Sequence, residues 1–174
     1  MDQVAVSQLR AQFESAHQWL EGTMADVTDE VANWPPPGVC ATVGANYIHH
    51  VFGEDALINI GLRGGAPLAM TTFESRTGAD ALPPQGDWAE WGRGVRVNVE
   101  AARAYAQAVY ANTDAYLAGL SDADLLQDAD MSMIGLDPMP LGRFLGGMLL
   151  INAGAHSGEI SCLKGVQGLR GYPF

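Results

Sequence analysis

The sequence predicts an all-α fold, a four-helix bundle with a long crossover loop between helices two and three. Apolar residues recur at steps of three and four along four long stretches. No region is rich in strand signals, and the breaks between the stretches carry Pro and Gly. At 174 residues the chain is expected to form one domain over 1–174, large enough to bury a core without disulfides or a structural metal.

Helix one is expected from about Val4 to Met24, where Val6, Leu9, Phe13, Ala16 and Leu20 mark one face. His17 lies beside that stripe. With Glu14 it matches the Glu-x-x-His element of di-iron bundles, but a second copy is lacking, so it reads as a histidine at the core's edge. Trp34-Pro35-Pro36-Pro37-Gly38 must end any helix, because proline removes a backbone donor and restricts the residue before it. Trp34 reads as packing beside that bend in preference to lining a pocket mouth.

Helix two is expected from about Ala41 to Leu62, ended by Gly64-Gly65-Ala66-Pro67. It carries His49 and His50. Adjacent residues point about 100° apart on a helix, so the two histidines rarely serve one site. His50 has Glu54 one turn on; His49 has Gly53 there, which leaves space beside its ring for a ligand. Spacing leaves both open. From Ala66 to Gly86 the chain reads as the crossover, a cover over a site or a plain tie between parallel helices.

Helix three is expected from about Asp87 to Gly119, bent near Gly92 and Gly94, with Trp88, Trp91, Tyr105, Val109, Thr113 and Leu117 on its buried side. Ser121-Asp-Ala-Asp124 has the pattern of a capping box. Asp128 to Met139 suits a brief irregular or hairpin-like excursion. Helix four, Leu141 to Gln167, is the informative one. Leu141, Leu145, Met148, Asn152, His156, Glu159 and Leu163 share one face, and three of these seven are polar. An amide, an imidazole and a carboxylate on a core-facing stripe must be paired, hydrated or bound to something, so the site is expected here.

Nine Lys plus Arg stand against 20 Asp plus Glu, a net charge of -11, which leaves no basic surface for nucleic acid. Cys40 and Cys162 show no metal-type spacing, as in a reduced cytoplasmic protein. No run of 18 apolar residues and no signal-like start are present, so a soluble cytoplasmic protein without membrane contact is expected. Nucleotide-binding loops, His-Glu-x-x-His and Cys-x-x-Cys are absent. Gly154-Ala-His156-Ser157-Gly158 is mid-helix, which argues against a hydrolase elbow, and Cys162 has no neighbouring positive group to activate it. Histidines facing each other from helices two and four, with Asn152, can hold a divalent metal with open positions; the alternative is a buried polar cluster satisfied by water and hydroxyls.

Trp34-Pro-Pro-Pro-Gly, Tyr47-Ile-His49-His50-Val-Phe-Gly-Glu54-Asp55, Asn152-Ala-Gly-Ala-His156-Ser-Gly-Glu159-Ile160 and the closing Gly171-Tyr-Pro-Phe together resemble the DinB-like superfamily. That superfamily includes YfiT-like proteins and the mycothiol-dependent maleylpyruvate isomerase type, and the resemblance covers essentially the whole chain. It implies a zinc or nickel site of three histidines, one from helix two and two from helix four. These positions fall on His49, with His50 the alternative, and on Asn152 and His156. Asn152 is a departure, since an amide oxygen coordinates more weakly than imidazole. Glu159 is then a catalytic base, a carboxylate partner to His156, or a purely structural carboxylate. The resemblance further implies a small-molecule substrate, a low-molecular-weight thiol, thiol-dependent transfer or hydrolysis, and a homodimer. The competing expectation is a non-catalytic, metal-free bundle associated with stress or ligand binding.

Overall fold

The structure, a computed structural model, describes residues 3–84 and 86–173. Helix α1 (Val4–Met24) keeps Val6, Leu9, Phe13, Leu20 and Met24 buried, as its stripe requires. A short α2 (Asp29–Ala32) follows, with the Thr28 hydroxyl accepting from the Val31 amide at 3.3 Å. Helix α3 (Val43–Ala56) is capped in the same way by Thr42, which accepts from Ala45 at 3.1 Å. It is buried almost all round and runs on into a π-helical segment, Leu57–Leu62.

The expected third helix is interrupted. Helix α4 (Ala89–Gly94) stops at Val95, and α5 (Val99–Ala118) starts anew from an Asn98 cap on the Ala101 amide. Between them the backbone polar groups are engaged elsewhere. The Asn33 side chain donates to the Val97 carbonyl and accepts from the Val97 amide, both at 2.8 Å. On the other side Ala79 forms an antiparallel bridge with Val97. Backbone groups held on both sides are not free for helical bonds, so a bend at Gly92 and Gly94 becomes a break.

After α5, Ser121 and Asp124 cap each other, and the strands β1 (Asp128–Ala129) and β2 (Met139–Pro140) pair antiparallel. Helix α6 (Leu141–Phe144) leads through a second π-helical segment, Leu145–Leu149, into α7 (Leu150–Val166). The described residues are thus mostly helical, an all-α protein, and no helix among them is long and apolar enough to cross a membrane.

That second π segment corrects the stripe expected on helix four. One extra residue per turn rotates everything after it by about 100°. Leu141 and Leu145 are buried, but beyond them the core side becomes Leu149, Ala153, His156, Ser157, Ile160 and Leu163, and Met148, Asn152 and Glu159 turn to the rim.

The long helices pack as α1 on α5 and α7, and α3 on α5 and α7. Their buried apolar residues form two separate clusters. One takes Leu20 and Met24 of α1, Tyr47 to Phe52 of α3, Ala102 to Val109 of α5, and Ile160 and Leu163 of α7. The other takes Val6 to Phe13, Ile58, Leu117 and Leu141 to Leu149. Between them, on α1, α3, α5 and α7 in turn, lie His17, Glu54, Thr113 and His156, all buried.

Candidate functional site

Glu54 is the hub of this polar level. It is 1% exposed, and one oxygen accepts from Thr113 Oγ1 at 2.6 Å while the other accepts from His17 Nε2 at 3.0 Å. Tyr110 stacks on the His17 ring, centroids 3.8 Å apart, and fixes its plane. Burial pushes the Glu54 carboxyl up, but His17, His50 and the Thr113 hydroxyl outweigh it and hold the group below its ordinary value. The carboxylate is therefore charged, inside the protein, at neutral pH.

One turn earlier on α3, the fully buried His50 places Nε2 3.5 Å from Glu54 Oε2 and Nδ1 3.2 Å from Asn152 Oδ1. The Nε2 contact is within ion-pair range but off the direction of a hydrogen bond, and Nε2 has no other partner. Burial lowers the His50 pKa against the pull of Glu54 and Asn152, so the ring is neutral.

His156 sits across from both helix-two histidines. Its ring lies 6.0 Å from that of His50 and 5.3 Å from that of His49. Its Nδ1 pairs with Glu159 Oε2 at 2.7 Å, which turns Nε2 away from the rim carboxylate. His49 stacks flat on Trp88, centroids 4.2 Å apart, and its buried Nδ1 has no hydrogen-bond partner. Burial first, then the neighbouring His156 and His50, lowers its pKa to about 4.

The structure therefore brings together every residue singled out on helices two and four. Adjacent histidines can both face α7 here because α3 is central, with neighbours on nearly every side. Of the two, His50 is the one at bonding distance from Asn152. The sequence reading did not include Thr113, Trp88 or the hub role of Glu54 in the site. Thr113 did carry a signal, a hydroxyl on an otherwise apolar stripe.

Residues 12–158 match the family model of the DinB superfamily. The chain belongs to the DinB superfamily. A DinB-like protein from Bacillus cereus is similar at 21% identity, covering 92% of this chain and 88% of its own, with a TM-score of 0.54. A conserved protein from Enterococcus faecalis is similar at 20% identity over 93% of this chain and 96% of its own, with a TM-score of 0.70. At such identities the likeness is one of fold. No curated protein matches the sequence.

For a DinB protein the pertinent question is whether these side chains suit a divalent cation. Among the described residues no group of three or more His, Cys, Asp or Glu forms a metal-binding cluster. The third donor here is an amide, which lies outside that set. His50 Nδ1 and Asn152 Oδ1, 3.2 Å apart, have the spacing of two donors on one tetrahedral edge with bonds of about 2.0–2.1 Å. Each imidazole also has a carboxylate at its other nitrogen, Glu54 for His50 and Glu159 for His156. The Glu159 hydrogen bond fixes the His156 tautomer, and the Glu54 charge, 3.5 Å from His50 Nε2 without a hydrogen bond, favours a more basic His50 ring. By donor type and spacing His50 Nδ1 and Asn152 Oδ1 suit a divalent cation, and the His156 ring lies across from them, its centroid 6.0 Å from that of His50.

Proposed function

We propose that this protein is a four-helix bundle of the DinB superfamily that holds one divalent metal between α3 and α7 and uses it on a small molecule, by thiol-dependent transfer or by hydrolysis. The bundle reading rests on the two clusters. α1 and α7 run from the Leu9 cluster to the Leu20 cluster, and α3 and α5 run the other way. Two parallel neighbours, α3 and α5, need a long connection, and residues 63–98 supply it as the crossover of one domain.

The observation that carries the metal reading is His50 Nδ1 at 3.2 Å from Asn152 Oδ1, with the His156 ring facing that of His50 and a carboxylate near the other nitrogen of each imidazole. His50, Asn152 and His156 would hold the ion, zinc or nickel by donor type. A bound ion with open positions supplies Lewis acidity and activates a coordinated water or thiol. Burial keeps the His50 ring neutral, and Glu54, itself fixed by His17 and Thr113, faces its Nε2. Glu159, more than half exposed at the rim, takes or returns a proton at its free oxygen while holding His156 Nδ1 with the other.

The test is the metal content of untagged protein purified without added metal. About one zinc or nickel per chain is expected, falling to background in His50→Ala and His156→Ala that remain folded. Background metal in wild type, with no gain in melting temperature on adding zinc or nickel, would overturn the reading. It would leave the His50–Asn152 contact as a hydrogen bond in a metal-free ligand-binding bundle.

A further inference from the structure

Beside the His50–Asn152 pair a cavity of about 420 Å³ opens between the end of α3 and the start of α7. Phe52, Leu57, Met133, Phe144, Met148 and Leu149 give it apolar walls. Among the described residues the polar side chains lining it are His49 and Asn152, both at the end next to the site, and no Lys, Arg, Asp or Glu takes part. Its shape has an identifiable origin. Both π-helical segments of the described residues border it, the first through Leu57 and the second through Met148 and Leu149. A π segment widens the helix and re-aims the side chains beyond it, and such segments recur at functional sites.

We propose that this cavity binds a neutral amphiphile, its alkyl chain along the apolar walls and a hydroxyl-type head against His49 and Asn152. The placement of the head rests on the metal reading of His50, Asn152 and His156; that of the chain does not. In the metal-free protein an anionic head is disfavoured, because it would leave water without a cation among the described lining residues to pair with and enter a protein of net charge -11. The volume lies toward the lower end of the roughly 300–1,000 Å³ range of small-molecule sites, which suits a chain of medium length.

Gly53 gives direct experimental access. It lines the cavity on a helical turn, and a Cβ added there meets nothing within 4 Å, so a larger side chain grows into the cavity and not into the core. Calorimetric titration of metal-free and metal-loaded protein with 1-butanol, 1-hexanol, 1-octanol and 1-decanol is the experiment. Each added methylene should tighten binding about three- to fourfold until the cavity is filled. Octanoate should bind the metal-free protein at least tenfold more weakly than 1-octanol. Gly53→Leu should lose at least tenfold for 1-octanol, and Gly53→Ala much less. Should Gly53→Leu not fold, Met148→Glu, at a wall position 36% exposed, should give the same loss.

Equal binding of 1-octanol by folded Gly53→Leu or Met148→Glu, no dependence on chain length, or octanoate binding the metal-free protein as well as 1-octanol would each overturn the proposal. Binding that is sensitive to Gly53 in a protein taking up no metal would uphold the cavity while the metal reading fails. Metal uptake without such binding would do the reverse.

Discussion

Glu54 and Asp55 are neighbours on α3, 1% and 0% exposed, yet their surroundings differ. Asp55 accepts four hydrogen bonds, from Asn59 Nδ2 at 2.7 Å, the amides of Leu68 and Ala69 at 2.9 Å each, and the Tyr105 hydroxyl at 2.6 Å. Glu54 accepts two, from His17 and Thr113, and faces the His50 nitrogen at 3.5 Å without a bond. One step along a helix is a turn of about 100°, so one carboxylate faces the crossover and the other the polar level. A fully satisfied buried carboxylate acts as an anchor. A partly satisfied one, within 3.5 Å of an unbonded His50 nitrogen, still acts electrostatically on that ring.

Removing the anchor gives the largest expected effect. Asp55→Ala strands two backbone amides and a phenol in the interior, and should cost about 3 to 5 kcal/mol in urea denaturation. Metal uptake per folded chain should not change. A cost under about 1 kcal/mol would show that water replaces those bonds easily and would erase the contrast with Glu54.

Glu54→Gln tests the other carboxylate. The amide keeps the shape and an acceptor for Thr113, so the stability cost should be smaller, about 1 to 3 kcal/mol. Metal affinity should fall about 10- to 100-fold in a chelator competition assay, because the His50 ring loses its charged partner. An unchanged affinity would separate Glu54 from the site altogether.

That contrast was invisible in the sequence, where Glu54-Asp55 reads as one acidic pair. Helix one was legible from end to end, since its apolar residues keep a single period from Val4 to Met24. Helix four was legible in extent but not in face. Its stripe assumed regular turns, and the Leu145–Leu149 segment shifted the register by one residue. The break before α5 depends on Asn33, over 60 residues away, gripping Val97, and no local pattern reports a partner at that separation. Of the polar residues on the helix-four stripe, only His156 is buried, and Asn152 and Glu159 lie at the rim; Thr113, a hydroxyl on the α5 stripe, is buried and bonded to Glu54, as a polar group in a core must be.

The next effect is in the pH dependence, where the two sides of α3 also diverge. The His49 pKa drops from the ordinary 6.5 to about 4, by burial and then by His156 and His50. On unfolding the ring regains its ordinary value, so below 6.5 the unfolded chain takes up the proton first. Stability from keeping His49 neutral is thus complete above about 6.5 and lost as pH falls toward 4. His50, also lowered, adds in the same direction. Glu54, held below its ordinary 4.5, adds a further loss only as pH falls through that range. Since the His49 ring is partly exposed, its share should be about 1 to 2 kcal/mol. His49→Phe keeps a flat ring against Trp88 and should reduce the stability slope between pH 6.5 and 4 in denaturation series. An unaltered slope would assign it to His50 and the carboxylates.

The smallest change in stability, and the sharpest in chemistry, belongs to Asn152→His. Asn152 lies at the exposed rim, so the substitution should move stability by no more than about 0.5 kcal/mol. It would replace a weak amide donor with an imidazole at the position 3.2 Å from His50 Nδ1. Zinc or nickel affinity should then rise at least tenfold, because imidazole is the better ligand for both ions. If the variant binds metal no better than wild type, the rim position does not face the same point as His50 and His156. The site would then be a two-imidazole arrangement in which Asn152 serves only to orient the His50 ring.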